Sequence, residues 1–160
     1  MKITLSVIKA DVGSVGGHTM PSERMIDVVR HKVDSAISSG FLLDSFVSHT
    51  GDDIAILMSH THGENNTEVH QLAWDAFILA TETAREYGLY GAGQDLLVDA
   101  PSGNVRGAGP AVAEIEFEHT LEPPRPAESF MVFAADKCGP GAYNLPLFLA
   151  FADPMYCSGL

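Results

Sequence analysis

The sequence predicts an α+β fold, a mainly antiparallel sheet with helices packed on it, and three observations point there. Strand-like and helix-like stretches follow one another as β-α-β-β-α-β-β, which breaks the strict alternation of a doubly wound parallel sheet. Two of the strand-like runs are joined by Gly51-Asp52-Asp53, a hairpin signal. The 160 residues are 46% hydrophobic. That suits one domain of ordinary size, which buries about 70% of its unfolded surface and needs no staples.

The elements follow in order. Lys2 to Ala10 alternates, with Ile3, Leu5 and Val7 on one face and Thr4, Ser6 and Ile8 on the other, which is a strand. It runs into a glycine-rich loop, Asp11 to His18. Pro21 reads as a first-turn helix proline, and Met25, Val28, Val29, Val33, Ala36 and Ile37 keep helical spacing as far as Gly40. Phe41 to Thr50 and Ile54 to His60 read as two strands. The polar run His62-Gly63-Glu64-Asn65-Asn66 supplies caps for a helix carrying Val69, Leu72, Ala73, Ala76, Phe77, Ala80 and Ala84, which stops at Gly88. Trp74, at helical spacing with Phe77, belongs to the core. Gly88 to Pro110 is loop-like, interrupted by Leu96-Leu97-Val98. Val112 to His119 alternates glutamates with Ile115 and Phe117, a half-exposed strand, and Phe130 to Ala135 is a further strand ending at Asp136-Lys137. The apolar run Leu145 to Ala152 stands close to the end, where a domain usually has a polar tail, so the chain reads as cut in mid-domain.

Charge excludes some functions. There are 9 basic against 21 acidic residues, for a formal net charge of −12. Nucleic-acid binding needs the opposite balance, because cationic side chains must displace counterions from the phosphates. The longest apolar run falls far short of the roughly 20 residues of a membrane helix. The first residues alternate and resemble no secretion signal, and two cysteines build no disulfide framework, so a reducing cytoplasm is the expected compartment.

Three constellations place aspartates where hydrophobic strands stop: Lys9-Ala10-Asp11, Gly51-Asp52-Asp53 and Asp136-Lys137. Carboxylates at strand ends can converge at one end of a sheet, and a hard divalent cation such as Mg²⁺ takes such oxygen ligands. Aspartate is also common in turns for plain hydrogen-bonding reasons, and any one of these sites alone reads that way more often. His18 is balanced between ligand and solvent-exposed loop residue. Gly13-Ser14-Val15-Gly16-Gly17 could cradle phosphate through backbone N–H groups, but it is neither a Walker loop nor a dinucleotide fingerprint. His60-Thr61-His62 reads as a solvated loop rather than a metal site. Cys138 and Cys157 lack the spacing zinc requires.

Taken together, several runs resemble the bifunctional fructose-1,6-bisphosphate aldolase/phosphatase family. They are Ile3-Thr4-Leu5-Ser6-Val7-Ile8-Lys9-Ala10-Asp11, Gly16-Gly17-His18, Gly51-Asp52-Asp53-Ile54, Gly93-Gln94-Asp95-Leu96, Ser102-Gly103-Asn104-Val105-Arg106-Gly107 and the stretch from Ala134 to Asn144. The resemblance runs in order along nearly the whole chain. It implies a four-layer α-β-β-α sandwich, of which residues 1–160 form the N-terminal part of a single, truncated domain. It further implies condensation of triose phosphates to fructose 1,6-bisphosphate, loss of the 1-phosphate to give fructose 6-phosphate, a role in gluconeogenesis, Mg²⁺, a lysine Schiff base and a homo-octamer. By the same resemblance Asp11, His18, Asp52, Asp53, Gln94 and Asp136 are metal ligands. His18, Tyr90, Gly103, Asn104 and Lys137 contact the sugar phosphate. Family members are longer, and their Schiff-base lysine lies beyond Leu160; Lys2, Lys9, Lys32 and Lys137 do not match it. The alternative is a non-catalytic Mg²⁺- and sugar-phosphate-binding fragment. An unrelated acidic fold whose aspartates are turns is the third reading.

Overall fold

The computed structural model of the chain describes residues 1–96 and 109–118, together with Val132, Leu149 and Met155. Its elements are β1 (Lys2–Asp11), α1 (Glu23–Ser38), β2 (Asp44–Thr50), β3 (Asp53–His60), α2 (Thr67–Glu86), a 3-10 turn (Gln94–Leu96) and β4 (Ala111–Glu118). The strands form one antiparallel sheet in the order β2-β3-β1-β4. Both helices pack on one face of it, and their apolar stripes meet Ile8, Ala10, Val47, Ile54, Ile56 and Met58 in a single core. The α+β, antiparallel expectation holds. Among the described residues no helix is long and apolar enough to cross a membrane. The expected strand Phe130–Ala135 and the piece Leu97-Val98 lie outside the described residues, apart from Val132.

Local chemistry explains the boundaries, and two of them correct the sequence reading. Ser22 caps α1 by accepting the Met25 N–H, so Pro21 precedes the cap instead of occupying the first turn. Asn66 caps α2, its side-chain oxygen accepting the N–H groups of Glu68 and Val69. Both helices stop at a glycine by the same pair of backbone hydrogen bonds. Gly40 and Phe41 donate to Ile37 and Ala36, and Gly88 and Leu89 donate to Arg85 and Ala84. That closure draws Phe41 and Leu42 into the end of α1, so β2 begins at Asp44 and not at Phe41.

Gly13 marks where β1 leaves the sheet between the two helices. Its φ is 144°, and a Cβ there would stand 2.6 Å from the Ala84 Cβ and 3.3 Å from the Met25 Cε. One contact is to a helix side chain with no freedom to move aside, so Gly13→Ala is expected to cost about 1–3 kcal/mol from overpacking. Urea unfolding should show a lower midpoint with an unchanged slope.

The sheet is apolar on both faces. The helix-covered face of β1 carries Thr4, Ser6, Ile8 and Ala10, all buried, whereas Leu5 and Val7 on the other face are only half-buried. With Phe46, Leu57 and Ile115 they form an apolar surface that no helix covers among the described residues, and Phe46 is 64% exposed there. A second layer over such a face is what a sandwich supplies.

Ser6 under the helices is satisfied by a network that corrects the reading of His60 as part of a solvated loop. His60 is the last residue of β3 and fully buried. Its Nδ1 accepts the His62 N–H at 3.2 Å, which puts the ring proton on Nε2, 2.8 Å from the Ser6 hydroxyl. Ser6 donates in turn to Glu114 on β4 at 2.7 Å. Burial, then the neighbouring His62, hold the His60 pKa below its ordinary value. His62 itself is exposed and stacks on Phe41.

Candidate metal centre

The β1–β3 register places Asp11 directly opposite Asp53, and the two-residue turn Gly51-Asp52 joins β2 to β3 at that same end of the sheet. Three aspartates therefore meet where the buried strands stop. Asp11 is 4% exposed, Asp52 0% and Asp53 3%. Apolar strands carry these carboxylates to one end of the sheet, and chain connectivity does the rest.

His18 reaches them from the glycine-rich loop, which is a small hairpin closed by the Val15 N–H bond to Met20 O at 2.8 Å. Ser14 Oγ accepts the Thr19 N–H and donates to Gly17 O, and Gly16 and Gly17, at φ 66° and 78°, supply the left-handed backbone at the tip. The imidazole Nδ1 lies 2.7 Å from Asp52 Oδ2 and 3.4 Å from Asp11 Oδ2. One ligand atom from each of Asp11, His18 and Asp52 lies within 4.8 Å of the others. Tyr90 stands edge-on to the His18 ring, 4.8 Å between centroids, and is held there by reciprocal backbone bonds with Ser14.

Four carboxylates share this corner. The Asp11 pKa is pushed up to about 7, first by burial, then by Asp52, Asp95 and Asp53, with His18 opposing. Asp53 is ion-paired with Lys9. Of the four buried side-chain oxygens without a hydrogen-bond partner among the described residues, two lie at this corner, Asp11 Oδ1 and Gln94 Oε1, and the others are the hydroxyls of Thr4 and Thr81. Gln94 Oε1 lies against Gly91, where an added Cβ would stand 3.2 Å from it. Buried polar atoms are nearly always satisfied, so orphaned acceptors beside a surplus of negative charge fit a hard cation.

Of the residues expected from the sequence, the structure brings Asp11, His18 and Asp52 into one cluster. It sets Asp53 beside them on the Lys9 pair and puts Tyr90 and Gln94 on the adjoining turn. Gly103, Asn104, Asp136 and Lys137 lie outside the described residues. Sequence reasoning missed Asp95, whose Oδ2 accepts the Asp11 backbone N–H at 2.8 Å. It placed Lys9 in the constellation Lys9-Ala10-Asp11, and in the structure Lys9 is ion-paired with Asp53.

An antiparallel α+β layer whose strand ends gather aspartates and a histidine defines a protein that could hold a metal ion at the edge of its sheet. Residues 2–160 match the family model described as fructose-1,6-bisphosphatase, and the chain belongs to that family. It is 61% identical over 160 residues to the fructose-1,6-bisphosphate aldolase/phosphatase of Thermus thermophilus, covering 100% of this chain and 42% of that protein. Proteins of the same name from Cenarchaeum symbiosum and Methanothermobacter marburgensis are 54% and 51% identical, covering 100% of this chain and 40% and 42% of their own lengths. The chain thus spans about 40% of the length of these relatives.

Proposed function

We propose that this chain supplies the metal and phosphate site of a Mg²⁺-dependent fructose-1,6-bisphosphate aldolase/phosphatase of cytoplasmic gluconeogenesis, as the N-terminal part of a single domain in an octameric protein. The supporting observation is the cluster of Asp11, His18 and Asp52 with two orphaned oxygens beside it, in a chain whose relatives carry that name. Asp11, His18, Asp52, Asp53, Gln94 and Asp136 would hold the metal, which when bound offsets phosphate charge and acts as a Lewis acid. His18, Tyr90, Gly103, Asn104 and Lys137 would bind the sugar phosphate.

The described side chains have definite parts in this reading. His18 Nδ1 faces Asp52 Oδ2 at 2.7 Å, and a proton on that nitrogen would leave Nε2 as the ring's lone pair. Tyr90 fixes the ring plane from its edge. Lys9 offsets the charge of Asp53, while Asp11 and Asp52 both face the His18 ring. Calorimetry tests the reading. Fructose 1,6-bisphosphate should bind in Mg²⁺ and not in EDTA, and Lys137→Ala should weaken that binding while Mg²⁺ still binds. Equal affinities for wild type and Lys137→Ala would remove Lys137 from the site.

The Schiff-base chemistry is assigned to a lysine outside this chain. An iminium forms only from a deprotonated amine, and each described lysine stands against a carboxylate: Lys2 against Glu116, Lys9 against Asp53, Lys32 against Asp75. Glu116 also raises the Lys2 pKa, through its hydrogen bond and its charge. Borohydride trapping with dihydroxyacetone phosphate is expected to leave the chain's mass unchanged. Stoichiometric labelling of any of its lysines would place the chemistry here instead.

A further inference from the structure

We propose that Asp95 is a positioning residue for this site, tying the end of β1 to the turn that carries Gln94 so that the side chains of Asp11 and Gln94 converge on one ion. The inference rests on the metal reading above and adds to it a residue that touches no ligand in its own right.

The backbone shows why such a tie is needed. The β1–β4 ladder ends at the pair Lys9 and Ala111, while β1 continues to Asp11 paired with β3 alone. Beyond β4 the exposed edge of β1 would leave Asp11 with an unsatisfied N–H at the point where its side chain must be held. Residues 90–96 take over that edge. Asp95 Oδ2 accepts the Asp11 N–H at 2.8 Å, and the Gly93 N–H donates to Val12 O at 3.0 Å. Tyr90 and Ser14 exchange backbone bonds one step further on. The turn is closed internally by Gln94 N–H to Gly91 O and Leu96 N–H to Gly93 O, at 3.0 and 3.1 Å, so its orientation is set by these contacts with β1.

Two of the four buried side-chain oxygens without a partner among the described residues, Asp11 Oδ1 and Gln94 Oε1, belong to the two segments this bond joins. A side chain that orients ligands without being one typically changes metal affinity by about 10–100-fold when removed. Asp95 has that place in the structure.

Three substitutions separate position from charge. Asp95→Asn keeps an oxygen at the right reach and loses the charge; Asp95→Glu keeps the charge and displaces it by a methylene; Asp95→Ala loses both. Free Mn²⁺, followed by its electron paramagnetic resonance signal, reports metal binding by the chain without any turnover. Asp95→Ala is expected to weaken Mn²⁺ binding about tenfold or more, Asp95→Asn to stay near wild type, and Asp95→Glu to fall well below Asp95→Asn. Amide hydrogen exchange should show the Asp11 N–H protected in wild type and Asp95→Asn and unprotected in Asp95→Ala. Wild-type affinity in Asp95→Ala, or Asp95→Glu binding better than Asp95→Asn, would overturn the proposal. Should Asp95→Ala fail to fold, the order of the Asn and Glu variants still decides. A wild-type chain that binds no Mn²⁺, or an Asp11→Asn variant that binds it unchanged, would instead overturn the metal reading beneath it.

Discussion

Mg²⁺ at about a thousand times its dissociation constant should stabilise the folded chain by about 4 kcal/mol, because a ligand that binds only the folded state shifts the equilibrium by mass action. For a domain of this size that raises the thermal midpoint by roughly 10 °C. The source of the gain is local. Asp11, Asp52 and Asp53 are each less than 5% exposed and face one another at the sheet's end, a charge arrangement that costs stability until a cation offsets it. Asp52→Asn combined with Asp53→Asn should abolish the Mg²⁺ shift and leave the helical signal intact. A wild-type midpoint that does not move across millimolar Mg²⁺ would count against the site.

Burial of Asp11, and then the same repulsion, give the metal-free chain a pH dependence of definite sign. The Asp11 carboxyl, at about 7 when folded against an ordinary 3.8, makes the folded state the better proton binder between those values. Its contribution is fully present below pH 4, is lost as pH rises through about 7, and is absent above that. In EDTA, Asp11→Asn should therefore flatten the fall in midpoint between pH 5 and pH 8 and be the more stable protein at pH 8. In Mg²⁺ the order should reverse, since the variant has lost a ligand oxygen. Parallel pH profiles for the two proteins in EDTA would show that Asp11 titrates normally.

Much of this site was legible because it depends on chain topology. A glycine-aspartate turn between two strand-like runs implies an antiparallel pair, and two residues decide which end of the sheet the aspartates occupy. That Asp11 should stand opposite Asp53 follows once β1 pairs with β3. His18 was harder to place, since a loop histidine has no periodicity. Its position comes from the Ser14 hydroxyl and two glycines at positive φ, features whose consequence appears only in three dimensions.

Other parts were hidden for physical reasons. Asp95 acts on Asp11 across 84 residues of chain, and a side chain accepting a distant backbone N–H leaves no local pattern. The alternation of β1 could not say which face lies under the helices. The more apolar face, Ile3, Leu5 and Val7, is the less buried, because Ser6 on the opposite face is satisfied by His60 and Glu114 from neighbouring strands. His60 was misread for the same reason. Its polarity suggests a loop until a buried hydroxyl is found for its Nε2 proton.

The account turns on the claim that Asp11, His18 and Asp52 hold one divalent cation at the end of the sheet. Anomalous diffraction from crystals of the chain grown in Mn²⁺ tests it most directly. The account predicts a strong anomalous peak bounded by the Asp11 and Asp52 carboxylates and the His18 ring, with Gln94 turned toward it. A peak elsewhere, or none while these side chains keep the positions described, would contradict it.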